Sequence, residues 1–384
     1  MKNRKGILLI SIAFTPNLGG AETHLNDLCE YLRKKFFVYV LTYQPIGSKL
    51  KGQAFEKRGN LEIRRFNLVP QGWFDKLEPF PILEFFYLFP GLFFGTLFFM
   101  VRHHSKIDAI HAHGFIAALV TRLVTLFYPK TTTMSTHAIY EFKKRGLMGK
   151  IARWILSGFD TVMPLALESK KDLIVAGVPE RKIKIYTQWV DQNLFKPRPK
   201  DASRERLHLK GKFIVLFVGR FIAKKGMAVL IEVARKMPSV DFVLIGDGPE
   251  YQNIEKMSTI LKNVYLPGRK DQKLIALYYN SADLVAIPSQ YEEGFARVVL
   301  EGLSSGRPII AANKGCLPEM ISQDVGVLVD PTPENIGNKI KYFLENPQKL
   351  EQMTKRTRAY AKKYFSEKNV EKIAQTYFVT KSLD

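Results

Sequence analysis

Ile287-Pro288-Ser289-Gln290-Tyr291-Glu292-Glu293-Gly294-Phe295-Ala296-Arg297-Val298-Val299-Leu300-Glu301 is the most informative segment of the chain. It leaves the apolar run Asp283 to Pro288, turns through a polar segment holding Gly294, and enters a helical pattern. Glu293 and Glu301 stand eight positions apart. Eight residues of α-helix are just over two turns, a spacing that puts both carboxylates on one face. The start of a helix offers bare backbone N–H groups and partial positive charge, which suit an anion. Carboxylates accept hydrogen bonds from hydroxyls. The stretch therefore predicts a site for a ligand with hydroxyls at one end and phosphate nearby.

Phosphate partners lie earlier in the same half. Phe213 to Val218 is a short run of β-formers, followed by Gly219-Arg220-Phe221-Ile222-Ala223-Lys224-Lys225-Gly226 and a helical pattern from Met227 to Met237. A strand, a turn holding Arg and Lys, and a helix form the phosphate-facing side of a parallel α/β sheet. Arg forks two phosphate oxygens and Lys adds a mobile point charge. Val240 to Gly246, with Asp247-Gly248-Pro249 after it, repeats the plan.

In this order, Gly-Arg…Lys-Gly, Ile-Gly-Asp-Gly-Pro, Pro-Ser…Glu-Gly-Phe…Glu and Gly-x-Pro-Ile-Ile-Ala, the C-terminal half resembles the donor domain of retaining glycosyltransferases of family 4. The N-terminal half agrees. Thr15-Pro16-Asn17-Leu18-Gly19-Gly20-Ala21-Glu22 resembles that family's first Gly-rich loop, and Ile110-His111-Ala112-His113-Gly114 and Ser135-Thr136-His137 resemble two of its strand ends. The resemblance spans nearly the whole chain. It implies an α/β protein of the GT-B class, two Rossmann-like doubly wound parallel-sheet domains facing across a cleft.

Length and pattern accord with two domains: 384 residues is too long for one ordinary domain. Strand and helix patterns alternate, which predicts parallel sheets covered on both faces. The expected strands are 6–13, 38–43, 61–66, 108–112, 131–136, 161–165 and 184–187, then 213–218, 241–245, 264–266, 284–287, 308–311 and 326–329, with a helix over 21–33. Pro197, Arg198, Pro199 and Lys200 read as the hinge. After Pro333 the pattern is helical. The expected division is an acceptor-binding domain over 1–195, a nucleotide-sugar domain over 196–362, and a helix over 363–384. The resemblance implies that this last helix packs back on the N-terminal domain, with Tyr360, Tyr364, Phe365 and Tyr377 as anchors.

Two cysteines, Cys29 and Cys316, make no disulfide framework, and a reducing cytosol is the simplest compartment. Gly6 to Phe14 follows a basic start but lacks a small-residue cleavage site, so it reads as a buried first strand rather than a signal peptide. The net charge is +22. Residues 1–200 hold 30 Lys/Arg against 15 Asp/Glu, and the remainder 28 against 21. The excess favours an anionic partner. No zinc-finger spacing or aromatic-basic RNA-recognition pattern occurs, so nucleic acid is not expected. The segment 79–106 points to lipid instead. From Phe85 to Val101 it has no charge, it is crowded with aromatics, and Arg102, His103, His104 and Lys106 flank it. It reads as an interfacial helix, a buried helix of the N-terminal domain, or a span shortened by Pro81, Pro90, Gly91 and Gly95.

The resemblance assigns roles by position. Arg220 and Lys225 stabilise charge on the departing phosphate. Gly19 and Gly20 let backbone approach the phosphates, and Gly219 belongs to the donor-binding set. Glu301 holds the ribose and Glu293 the donor sugar hydroxyls, while Gly294 and Phe295 offer backbone N–H groups. Gly268 and Arg269 sit where the base is held, and His137 lies near the transferred sugar. Glu22, His113 and Trp189 are assigned to the acceptor side. Of His111 and His113, one supports the cleft and the other packs. Their spacing suits a metal, but no third ligand is evident. No Asp-x-Asp signature appears, so neither metal nor other cofactor is expected.

Three positions depart from the pattern: Gln188-Trp189-Val190-Asp191 in place of Asn-Gly-Val-Asp, Phe295-Ala296 in place of Phe-Gly, and Gly315-Cys316 in place of Gly-Gly. Arg297, beside the second, reads as a contact for an acidic sugar or as a surface charge. The resulting expectation is a retaining glycosyltransferase. It moves a sugar from a nucleotide-diphosphate sugar to a glycan or glycolipid acceptor, at an anionic membrane surface on the cytoplasmic side. A non-catalytic sugar-nucleotide-binding partner and a nucleotide-sugar epimerase of the same fold are the alternatives.

Overall fold

Short runs of Val, Ile and Leu closed by Gly, Pro or a polar turn become strands, and the longer amphipathic patterns between them become helices. The computed structural model describes residues 4–17, 19–45, 51–68, 73–77, 80–136 and 147–378. The chain divides into two compact units, Met1–Gln188 with Lys368–Asp384, and Trp189–Glu367.

The first unit holds β1 (Gly6–Ser11), β2 (Phe37–Tyr43), β3 (Phe55–Arg58), β4 (Leu61–Phe66), β5 (Ala109–His113), β6 (Thr131–Ser135) and β7 (Thr161–Met163). Their order across the sheet is β3-β4-β2-β1-β5-β6-β7. All pairings are parallel except β3 with β4. Ile7 to Ile10 in the central strand are fully buried, as a strand covered on both faces requires. β3 is absent from the sequence expectation because it is a short, charged edge strand with half its residues exposed. Residues 184–187, expected as a strand, run beside β7 with only two backbone bonds, from Lys184 to Val162 and from Tyr186 to Pro164. That pairing is too sparse for a strand.

The second unit holds β8 (Ile214–Val218), β9 (Asp241–Ile245), β10 (Val264–Gly268), β11 (Leu284–Ile287), β12 (Ile309–Ala312) and β13 (Gly326–Val329). They are parallel in the order β10-β9-β8-β11-β12-β13. Each sheet reverses direction beside its first strand, between β1 and β5 in one and between β8 and β11 in the other. At such a switch point the loops leaving the two strands separate and leave a ligand crevice at the carboxyl ends of the strands.

Two boundaries differ from expectation. Trp189, Val190 and Phe195 are buried within the second unit, and Arg358 donates to the carbonyls of Gln192, Phe195 and Ser304 at 2.8 to 2.9 Å. The division therefore falls after Gln188 rather than after 195. The expected hinge is pinned instead: Asn280 accepts from the Arg198 N–H at 2.7 Å and donates to the Lys196 carbonyl at 3.1 Å, and Lys200 pairs with Asp283 at 2.7 Å. Beyond residue 332 the described residues form three helices, Pro333–Glu345, Pro347–Tyr364 and Lys368–Thr376. Only the last belongs to the first unit. Tyr360 donates to the Met320 carbonyl and Phe365 is buried, both in the second unit, while Tyr364 is exposed. Tyr377 alone among the four expected anchors serves the first unit.

The aromatic segment forms one continuous helix, Pro81–His103. Its glycines do not interrupt it. A Cβ at Gly91 would lie 2.7 Å from the Tyr43 hydroxyl, and one at Gly95 would lie 2.5 Å from the Phe66 ring. Four residues apart, the two glycines share a face and let the helix settle onto the sheet. Leu88, Leu92, Thr96 and Phe99 are buried on that side, whereas Phe86, Phe94 and Phe98 are 62 to 65% exposed. One face of the segment is thus the buried helix among the sequence alternatives, and the other is an open aromatic surface.

Candidate active site

The loops at the switch point of the second unit converge. β8 runs into Gly219–Gly226, and β11 runs into Pro288–Ala296. The Gln290 N–H donates to the Lys224 carbonyl at 2.7 Å, which joins the two loops by backbone. Gly226 has φ +76° and caps the helix Met227–Lys236, and a Cβ there would strike the Pro288 carbonyl. Both constraints select glycine. The loop after β12 joins as well: Cys316 N–H donates to the Glu293 carbonyl at 2.9 Å, and Gly315 N–H to the Glu292 carboxylate.

Glu293 is 2% exposed at the centre of this gathering. Its carboxylate accepts from Lys225 Nζ at 2.6 Å, Ser289 Oγ at 2.5 Å and the Tyr291 hydroxyl at 2.9 Å. Burial opposes charge on Lys225, but the Glu293 carboxylate and the Tyr291 phenol more than offset it, so the lysine pKa is raised. Burial pushes the Cys316 thiol up to about 12, with the Glu293 charge adding to it. Lys225 therefore remains cationic, already paired with the residue expected to hold the sugar. Arg220 is exposed at the start of the same loop. Glu293 is not on the helix, which spans Arg297–Ser304 and is preceded by Ala296. The one-face reading of Glu293 and Glu301 gives way to two neighbouring positions, one in the loop and one in the helix.

Glu301 is buried on that helix and accepts from Tyr279 Oη and Arg297 Nε, both at 3.0 Å. Arg297 is only 8% exposed and also donates to the Trp189 carbonyl at 3.4 Å. It is neither a surface charge nor open to an acidic sugar in this arrangement. Trp189 is itself 3% exposed. Gly268 ends β10 at φ +73°, and Arg269 beside it is exposed. Gly294 and Phe295 are half-buried between Glu293 and the helix.

In the first unit the switch-point loop leads to Gly19 and the helix Gly20–Leu32. The Glu22 carboxylate folds back over Gly19, where a Cβ would collide with it. This carboxylate already occupies the positive end of the helix, so an anion approaching Gly19 and Gly20 must displace it or share the position. Arg65 holds the loop in place. It is 5% exposed, donates to the Thr15 carbonyl from Nε at 3.2 Å and Nη2 at 2.8 Å, and pairs with Glu56 at 2.9 Å. His111 is fully buried between Tyr377 Oη at 2.7 Å and Ser135 Oγ at 2.9 Å, and His113 is only 3% exposed, so the structure buries both histidines of the pair. The His113 ring is 4.0 Å from that of His111, at the end of β5. His137 lies outside the described residues. Among the described residues, no three His, Cys, Asp or Glu gather as a metal site.

Comparison with known families decides the identity. The profile for glycosyl transferases group 1 matches residues 199–360, and that for glycosyltransferase family 4 matches residues 18–193. The chain belongs to the group 1, family 4 glycosyltransferases of the GT-B fold. It is 24% identical to a component of the phosphatidylinositol N-acetylglucosaminyltransferase of Arabidopsis thaliana, over 91% of this chain and 78% of that one. It is 29% identical to an uncharacterised glycosyltransferase of Methanocaldococcus jannaschii, over 97% of each. The crystal structure of HepE from Anabaena, in complex with UDP and glucose, superposes with a TM-score of 0.77 at 24% identity, covering 97% of this chain and 99% of that one.

Several residues of this glycosyltransferase escaped the sequence reading. Ser289 and Tyr291 are hydroxyl-bearing neighbours of Glu293 within the quoted stretch, a signal that was available. Tyr279 and Arg65 gave none. Each reaches its partner only because the sheet brings distant segments together.

Proposed function

We propose that this glycosyltransferase binds a nucleotide-diphosphate sugar at the Gly219–Gly226 and Pro288–Ala296 loops and transfers the sugar with retention of configuration to a membrane-held glycan or glycolipid. The observation that carries the reading is the Lys225–Glu293 pair at 2.6 Å at the switch point, with Arg220 exposed on the same loop. A cation and a carboxylate side by side suit a ligand that joins phosphate to a polyol. Other members of the fold add support, since HepE was crystallised with UDP and glucose.

In the proposed reaction, the bond between the anomeric carbon and the leaving phosphate oxygen breaks. The acceptor hydroxyl bonds to the same face, and its proton passes to the departing phosphate. Charge grows on that phosphate, and fixed cations there lower the barrier. Arg220 and Lys225 supply them, so no metal is required. Lys225 keeps Glu293 oriented until the donor arrives. Glu293 then accepts from the sugar hydroxyls, and Glu301 accepts from the ribose. The acceptor loops of the first unit, with Gly19, Glu22 and His113, and His137 beyond the described residues, complete the assignment. The cytoplasmic face of the membrane is the proposed location.

A thermal-shift screen of UDP-, GDP- and ADP-sugars, followed by turnover with the sugar that binds, tests the proposal. At least one sugar should stabilise the protein, and transfer should persist in excess EDTA. Lys225→Ala and Arg220→Ala should each lower turnover by about two orders of magnitude. Loss of activity in EDTA with rescue by Mg²⁺, near wild-type rates in both variants, or epimerised donor without transfer would refute it.

A further inference from the structure

Among the described residues, the outward face of the helix Pro81–His103 has no partner within the first unit. Leu83, Phe86, Phe94, Phe98 and Val101 follow one another at mostly helical spacings of three or four, and all are exposed. The helix packs beside Phe115–Phe127. The two run in the same direction, because each returns from the carboxyl edge of the parallel sheet. His104 lies 5.2 Å from Tyr128, which brings their C-terminal ends together, and Leu126 and Phe127 near that end are also exposed. A patch of this kind on a soluble protein marks a surface that something covers.

Charge identifies what covers it. No charged side chain interrupts the helix from Phe85 to Val101, and basic groups border its C-terminal end. Arg102 lies 4.6 Å over the Phe98 ring, and Lys106 is exposed beyond it. Residues 1–200 carry twice as many basic as acidic groups. An apolar stripe with a cationic border complements an anionic lipid surface: aromatics enter the acyl boundary and the basic groups meet the headgroups.

We propose that this face is the membrane-docking surface of the enzyme and that it enters the leaflet shallowly. By length and composition the helix could cross a membrane. Its other side, Leu88, Leu92, Thr96 and Phe99, is core of the first unit, so spanning would strip that core. The helix lies along the sheet with its N-terminal half beside the end of β2, where the Tyr43 hydroxyl meets the Leu88 carbonyl, and its C-terminal half beside the start, where the Phe99 ring lies tilted 5.4 Å from that of Tyr39. Exposed Ile82, Leu83 and Phe86 therefore lie toward the carboxyl edge of the sheet, the edge that also carries Gly19 and Glu22. Docking through them presents the acceptor loops to lipid. The proposal rests on the reading of a membrane-held acceptor and names the surface that reaches it.

Co-sedimentation of the full chain, without donor, with vesicles of phosphatidylcholine alone or with added phosphatidylglycerol tests this. Wild type should bind the anionic vesicles and release partly in high salt. The variant Leu83→Ser/Phe86→Ser/Phe94→Ser/Phe98→Ser should bind them at least about tenfold more weakly, with unchanged circular dichroism. If that variant misfolds, Arg102→Gln/Lys106→Gln provides the second measurement, with weaker binding and a shallower salt dependence. Equal binding to both vesicle types, no binding to either, or full binding by both folded variants overturns the proposal. So does a wild-type dimer that the outer-face variant dissociates, which would assign the face to a second copy of the chain. Vesicle binding by an enzyme that transfers sugar only to soluble acceptors would refute the membrane-held-acceptor reading and leave the docking face standing.

Discussion

Arg297 is the residue whose surroundings most change its meaning. In the sequence it is a charge beside a turn; in the fold it is buried against Glu301, with Tyr279 and the Trp189 carbonyl completing the cluster. Removing one member of a buried pair leaves the other charged and poorly solvated, which costs about 3 to 5 kcal/mol, whereas replacing both with apolar groups costs much less. Arg297→Met should therefore lower unfolding free energy by roughly that amount, and Arg297→Met/Glu301→Leu should recover most of it, read from urea unfolding curves. Equal loss in the single and double variants would show that packing, not charge, dominates the site.

At the scale of elements, the helix Pro81–His103 shows composition and placement pulling apart. Aromatic residues occur all around it, so pattern alone leaves the buried face unassigned. Gly91 and Gly95, which read as breaks, instead mark the side that lies on Tyr43 and Phe66. Gly95→Leu should overpack that contact and cost about 1 to 3 kcal/mol. Phe94→Ser, one position away on the exposed side, should change stability by no more than about 0.5 kcal/mol. Thermal melts of the two variants check the assignment, and a Phe94→Ser protein as destabilised as Gly95→Leu would refute it.

For the whole molecule, the C-terminal segment is the part most separated from its sequence neighbours. Val370, Ile373 and Tyr377 are fully buried in the first unit, Tyr377 bonds His111, and Thr376 bonds Thr133 at 2.9 Å. Each apolar side chain contributes about 1.5 to 3 kcal/mol by burial. A chain truncated after Glu367 should lose hydrogen-exchange protection in β5 and β6, with the Tyr377 bond to His111 gone. The second unit, contiguous from Trp189 to Glu367, should keep its protection. Uniform loss in both units would show that they unfold as one.

Adjacent residues encode the alternation of strands and helices, twelve of whose strands fall at or near the expected positions, and the two loops that carry Arg220, Lys225 and Glu293. Each apolar run, glycine turn and helix start is encoded by adjacent residues, so periodicity and turn chemistry suffice to read them. Only the tertiary structure decided which charges are exposed and which are paired. It joined Lys225 to Glu293, buried the i,i+4 pair of Arg297 and Glu301 against Tyr279 and the Trp189 carbonyl, moved the unit boundary to Gln188, and turned one side of the aromatic helix outward. Those outcomes depend on which strands become neighbours. Sheet order brings together residues scores of positions apart, and burial, which sets the worth of each charge, exists only once they have met.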